Sequence, residues 1–236
     1  MIIFSTFESN YFKLNVGRAV CDAPTDVLDI IKEAKKKQFN IVRIESKYKI
    51  DMEELFYIRT INDYKHSYKT SDNPIGLNVR KIQTEEDAIF FEKELYNNYL
   101  GDSLGYINHP SVRAKYPYLN KELEAKCYAS FFRTNFTPSN DNKGTLLFSQ
   151  NEDCVGGYIY EIVGDGVYTS VAFVLEKYRK SGFFKQFHLY RENLFFGMGI
   201  KYGFHGGRSD NISVNNFYLE EGYEIIEQRH IYVMAL

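Results

Sequence analysis

Apolar and polar residues alternate from Val167 to Val174, whereas the next apolar run, Phe184 to Phe196, recurs at helical spacing. Arg179 to Gly182 is therefore the turn that carries a strand into a helix. A further helix is predicted after Asn211, where Asn211, Val214, Tyr218 and Glu221 share one face. Asn211 suits its N-cap, and Gly222 supplies a left-handed stop before a closing strand that runs through Tyr232. Upstream, Gly144 to Gln150, Cys154 to Val163 and Val167 to Val174 read as three strands, joined by hairpin-like turns at Asn151 to Asp153 and Gly164 to Gly166. Before them the pattern predicts a strand from Leu77 to Ile82 and an acidic helix start at Thr84 to Asp87, continuing through Phe91 and Leu95. A long aromatic loop, Tyr96 to Tyr118, and a helix near Lys121 to Arg133 complete this part.

The N-terminal pattern is strand, helix, strand, helix or turn, strand. Its clearest helix, Asp26 to Lys37, sets Val27, Ile30, Ile31 and Ala34 on one face and ends in three lysines that suit the negative end of the helix dipole. Asn40 to Glu45 alternates as a strand. The segment Ser71 to Gly76 is polar and rich in breakers, which predicts a linker. Residues 1–76 are thus expected to form a small α/β domain and residues 77–236 a larger one, an α/β protein throughout.

Composition narrows the class. The chain has 236 residues, 44% apolar and 25% charged, with a net charge of −2, which excludes a disordered, fibrous or nucleic-acid-coating protein. Cys21, Cys127 and Cys154 are odd in number and widely spaced, so neither a disulfide framework nor a metal site is expected. With no basic, apolar leader at Met1 and no run of eighteen apolar residues, a cytoplasmic protein without membrane insertion is expected.

The candidate chemistry sits at the turn before Phe184. A helix start offers unpaired backbone N–H groups and a positive dipole end, Arg179 and Lys180 add charge, and Gly182 permits close approach, a combination that suits a diphosphate. Arg179 and Gly182 match the Arg/Gln-x-x-Gly-x-Gly/Ala turn of one superfamily, with Phe184 at its last small position. Asn211, Val214, Tyr218, Gly222 and Tyr223 match its Asn-x-x-Ala-x-x-x-Tyr-x-x-x-Gly-Phe, with Val214 for alanine and Tyr223 for phenylalanine. On these residues the chain resembles the GCN5-related N-acetyltransferases (GNATs). The opening Phe7-Glu-Ser-Asn-Tyr-Phe12, with Gly17 and Arg18, looks like that of TDP-fucosamine acetyltransferase-like nucleotide-sugar N-acyltransferases, although Lys13 stands where those relatives carry glycine.

The resemblance implies a mixed, largely antiparallel sheet flanked by helices. It also implies direct attack of an amine on acetyl-CoA or another short acyl-CoA, such as 3-hydroxybutanoyl-CoA, without a covalent enzyme intermediate or metal. CoA would lie against Phe173, Val174, Arg179, Lys180, Ser181, Gly182, Phe183, Phe184, Asn211 and Tyr218. A backbone N–H near Val174 would hold the oxyanion, and Tyr218 would protonate sulfur. The base stays open between His205, Glu161 and a water relay. Tyr106, His109 and Tyr116 lie in the loop expected to cover the acceptor, the amino group of a nucleotide-linked amino sugar of the kind built into O-antigen and lipopolysaccharide. Two other readings stand beside this one: acylation of a protein amine or small amine by the same core, and a non-catalytic acyl-CoA-binding module, favoured by Phe184. Pairing of two copies through the β-rich C-terminal edge is also open.

Overall fold

The computed structural model describes residues 1–70, 76–101 and 109–236. Ten strands form one mixed sheet: β1 (Ile2–Phe4), β2 (Val16–Cys21), β3 (Ile41–Ser46), β4 (Phe56–Ser67), β5 (Asn78–Lys81), β6 (Lys143–Gln150), β7 (Asp153–Val163), β8 (Gly166–Val174), β9 (Tyr202–Arg208) and β10 (Glu224–Ala235). Their order is β1-β2-β3-β10-β4-β9-β8-β7-β6-β5. Only β2 with β3 and β8 with β9 pair in parallel. The expected linker lies outside the described residues except for Gly76; of the strands before it, β4 pairs with β10 on one side and β9 on the other.

The helices are α1 (Thr6–Phe12), α2 (Asp26–Lys36), α3 (Glu85–Gly101), α4 (Pro110–Lys115), α5 (Lys121–Thr134), α6 (Phe183–Gly197) and α7 (Ile212–Glu220). Alternation along the strands feeds two separate layers. On one face, Val27, Ile30, Ile31 and Ala34 of α2 bury against Ala19, Val42, Ile44, Tyr232 and Met234, and Phe183, Phe187 and Phe195 of α6 against Phe148, Val155, Tyr158 and Tyr160. On the other, Phe12, Val112 and Cys127 meet Val16, Ile41 and Val233, while Phe91 and Leu95 of α3 meet Leu147 and Phe173. Fully burying such side chains stabilises the fold by about 1.5–3 kcal/mol each.

Helix α6 can approach β7 because Gly156 has no side chain. A Cβ there would stand 2.8 Å from the Phe187 ring, which instead stacks on Phe148 at 3.8 Å. On the opposite face Gly157 makes the same room for Phe91 of α3, with a Cβ distance of 2.3 Å.

The predicted elements recur with ends shifted by a residue or so, and the helix-or-turn before β4 is a turn, but the N-terminal segment holds one helix and one strand more than the predicted pattern. A second expectation changes. The aromatic stretch from Tyr96 is helical as far as Gly101, since Tyr99 continues the buried stripe of α3 and packs on Tyr128 of α5 at 5.8 Å. Its far end is helix α4, with Pro110 at the first turn and His109 as the cap. Among the described residues no helix is long and apolar enough to cross a membrane.

Candidate active site

The parallel pairing of β8 with β9 is short. It joins Gly166–Thr169 to Tyr202–His205 and stops, although β8 continues to Val174. Among the described residues, Val171 to Val174 keep β7 on one side and have no strand partner on the other. A split therefore opens in the middle of the sheet, and two features converge on it: the turn into α6 at the end of β8, and α7, which follows β9.

The turn has the conformation its residues foretell. Lys180 (φ 66°) and Gly182 (φ 78°) are both left-handed, and Gly182 is the N-cap residue of α6. A Cβ at Gly182 would meet nothing within 4 Å, so the turn is open to an approaching group. Lys180, Ser181 and Gly182 are exposed, and the first N–H groups of α6 lack helical partners. Arg179 is placed differently from expectation. Its Nε donates to the Val174 carbonyl at 3.2 Å and one Nη to Asn98 Oδ1 at 3.2 Å, so it ties the end of β8 to α3.

Phe184 changes the site most. Where the superfamily pattern has a small residue, its ring meets Phe217 at 5.0 Å and Tyr218 at 6.2 Å, filling the space between α6 and α7. The gap left beneath is a cavity of about 10 Å³, bounded by Tyr158, Ala172, Phe184, Phe187, His188, Arg191 and Tyr218. That is room for roughly one water molecule. Phe173 faces the other layer, against Phe91 at 5.6 Å, while Val174 and Phe183 pack with α6.

Tyr218 is 3% exposed, its ring 4.9 Å from Tyr64 and 5.4 Å from His205 in a stacked arrangement. Burial pushes its phenol up to about 12, with the neighbouring Arg191 charge pulling the other way. Asn211 caps α7 weakly, at 3.4 Å from Val214 N. Asn215 holds the β9–α7 corner more firmly, donating to the carbonyls of Arg208, Ser209 and Asn211 at 2.8–3.0 Å while its Oδ1 accepts from Tyr64 and Asn62.

His205, on β9 at the point of the split, is buried. Its Nδ1 accepts from Thr169 Oγ1 at 2.6 Å and lies 3.4 Å from Arg191 Nη1. Since arginine can only donate, this nitrogen carries the lone pair and Nε2 the proton. Burial and the Arg191 charge hold the ring well below the ordinary histidine range. The nitrogen left over, Nε2, has no partner among the described residues and is a donor, which does not suit a base. Glu161 is exposed on β7, opposite Lys143 of β6 and Tyr168 of β8, one register position before the split. His109 and Tyr116 lie elsewhere. His109 caps α4 and its ring sits 5.7 Å from Phe56; the Tyr116 hydroxyl donates to the Leu236 carbonyl at 2.7 Å, beneath β10. Tyr106 lies outside the described residues.

What the sequence reading missed is a buried polar cluster on α6. His188, Arg191 and Glu192 are 2–4% exposed. Arg191 donates to His188 Nδ1 at 2.8 Å and to the Tyr223 hydroxyl at 2.5 Å, and lies over the Tyr158 ring at 5.2 Å. His66 of β4 stacks on Tyr223 at 4.2 Å and holds Glu192 Oε1 at 2.5 Å. The signal was present: His188, Arg191 and Phe195 follow Phe184 at steps of four, three and four, so polar residues occupy the core stripe of the helix. His66, His188 and Glu192 bring three donor atoms within 4.8 Å of one another, the spacing of a metal site. The hydrogen bonds argue for a closed network instead. Arg191 fixes the His188 proton on Nε2, the atom a metal would need, and His66 Nε2 is already engaged by Glu192.

This sheet, split between two parallel strands and flanked by helices on both faces, is the GCN5-related N-acetyltransferase fold. Solved structures agree over nearly the whole chain. A conserved protein of unknown function from Staphylococcus epidermidis superposes with a TM-score of 0.69 at 12% identity, covering 99% of this chain and 90% of that one. A GCN5-related N-acetyltransferase from Kribbella flavida gives 0.56 at 13% identity, covering 92% and 81%. Another from Sphaerobacter thermophilus gives 0.59 at 9% identity, covering 89% and 67%. No protein-family model and no curated protein matches the sequence.

Proposed function

We propose that the protein is an N-acyltransferase that moves an acetyl or other short acyl group from coenzyme A to an amine. The observation that carries this is the split between β8 and β9, with a left-handed glycine turn opening α6 on one side and Tyr218 of α7 on the other. The turn suits the diphosphate of CoA, and the unpaired edge of β8 after Ser170 suits the amides of its pantetheine arm. In this reading Tyr218 gives its proton to the sulfur that leaves, and a neutral amine attacks the thioester carbon directly. The fold neighbours described as GCN5-related N-acetyltransferases support this class.

For the acceptor we propose the amino group of a nucleotide-linked amino sugar, on the resemblance of the segment from Phe7 to Arg18. A non-catalytic CoA-binding module is the second reading, favoured by the Phe184 ring between α6 and α7. Thiol release from acetyl-, 3-hydroxybutanoyl- and longer acyl-CoAs, measured against TDP-amino sugars, free amino sugars, polyamines and peptides, separates these. Acceptor-dependent release with TDP-amino sugars is the expected result. CoA binding without release on any amine would favour the second reading.

A further inference from the structure

The guanidinium of Arg191 is 4% exposed, and its hydrogen-bond partners are His188 Nδ1, His205 Nδ1 and the Tyr223 hydroxyl, all uncharged groups. Among the described residues its Nε has no partner. A buried cation of this kind costs several kcal/mol unless an opposite charge answers it. Arg191 lies eight residues into α6 from Phe183, about 12 Å along the axis at ~1.5 Å per residue, at the depth of Tyr218, with which it bounds the same cavity. That cavity, at about 10 Å³, is too small for a carboxylate. The buried carboxylate nearest in the network, Glu192, lies beyond His188 and is engaged by His66, so a charge that answers Arg191 directly has to arise on an atom already lining the cavity.

We propose that Arg191 is the positioning residue that holds the negative charge Tyr218 acquires on giving up its proton. The proposal rests on the acyltransferase reading of the same site. As the carbon–sulfur bond breaks, its electron pair stays on sulfur, which takes the Tyr218 hydroxyl proton and leaves as the thiol of CoA. The phenolate remains against the guanidinium until a proton from the newly acylated nitrogen restores it, so no proton or electron is left over. The other groups around Tyr218 cannot take this part. Tyr64, Tyr158 and Tyr223 are phenols, His188 and His205 are neutral rings, and Glu192 is engaged by His66. The Arg191 charge already eases proton loss from the phenol, against the effect of burial.

The test uses the full chain labelled with 3-fluorotyrosine, the Tyr218 signal being the one absent from Tyr218→Phe. Its fluorine resonance is followed against pH without substrate, in wild type, Arg191→Lys and Arg191→Met, with a melting curve on each variant to show that it is folded. The titration is expected to move up by one unit or more in Arg191→Met and to be largely restored in Arg191→Lys. With acyl-CoA and an accepted amine, Arg191→Met should lower kcat tenfold or more while leaving the donor KM within about twofold. An unmoved Tyr218 titration in folded Arg191→Met overturns the proposal. So does a variant whose only change is a lost preference for malonyl- or succinyl-CoA, since Arg191 would then read an acyl carboxylate. The titration needs no turnover, so a shifted phenol in a protein that acylates nothing tells against the acyltransferase reading alone.

Discussion

The Tyr218 phenol has two neighbours of opposite effect: an apolar cage that keeps it protonated and a guanidinium that eases proton loss. Removing the hydroxyl alone separates its chemistry from its packing, because the ring of Tyr218→Phe still fills the contacts with Tyr64, Phe184 and Tyr223. Turnover should fall roughly a hundredfold, within the usual range for a lost general acid, while the thermal midpoint stays within a few degrees. Initial rates and a melting curve on the same preparation check both. Wild-type turnover in the Phe variant would make Tyr218 a core residue.

Between elements, the question is how α6 and α7 admit a pantetheine arm. Phe184 spans them, touching Phe217 and Tyr218, where the superfamily pattern has a residue too small to do so. The ring is half-buried and belongs to α6, the helix that also presents the left-handed turn. Phe184→Ala should destabilise the fold by about 1–3 kcal/mol, less than a fully buried phenylalanine, yet lower the donor KM severalfold by clearing the space between the helices. Denaturant midpoints and donor saturation curves measure the two effects on one sample. A higher donor KM would mean that the ring is part of the CoA surface.

For the molecule as a whole, the buried histidines set an acid limit. Burial, with the Arg191 charge, holds His188 down to about 2 and His205 well below its ordinary range, so both stay neutral in the folded state. In the unfolded chain each titrates near 6.5. Below that pH the unfolded state binds more protons, so stability falls as pH falls, by about 1.4 kcal/mol per pH unit for each such ring. The denaturant midpoint should therefore drop steeply between pH 6.5 and 5, and His188→Gln should flatten that slope. A midpoint constant across this range would show that the rings take up protons without unfolding the core.

Much of this was legible in the sequence because it depends on local geometry. Gly182 and Gly222 stand at positive φ because turns into and out of a helix need it, and Asn211 caps α7 because its side chain reaches the next turn's N–H. Helix α6, helix α7 and the three-strand run β6 to β8 follow from spacing alone. What only the tertiary structure decided involves residues distant in the chain. Burial and Arg191 turn His205 from a candidate base into a donor, and Tyr116 ends up beneath β10, away from the split. Alternation says that β4 is a strand but not that it lies between β9 and β10, bringing His66 and Tyr64 from the first seventy residues against α6 and α7. Strand order is set by which faces bury best together, a sum over the whole chain that no local pattern contains.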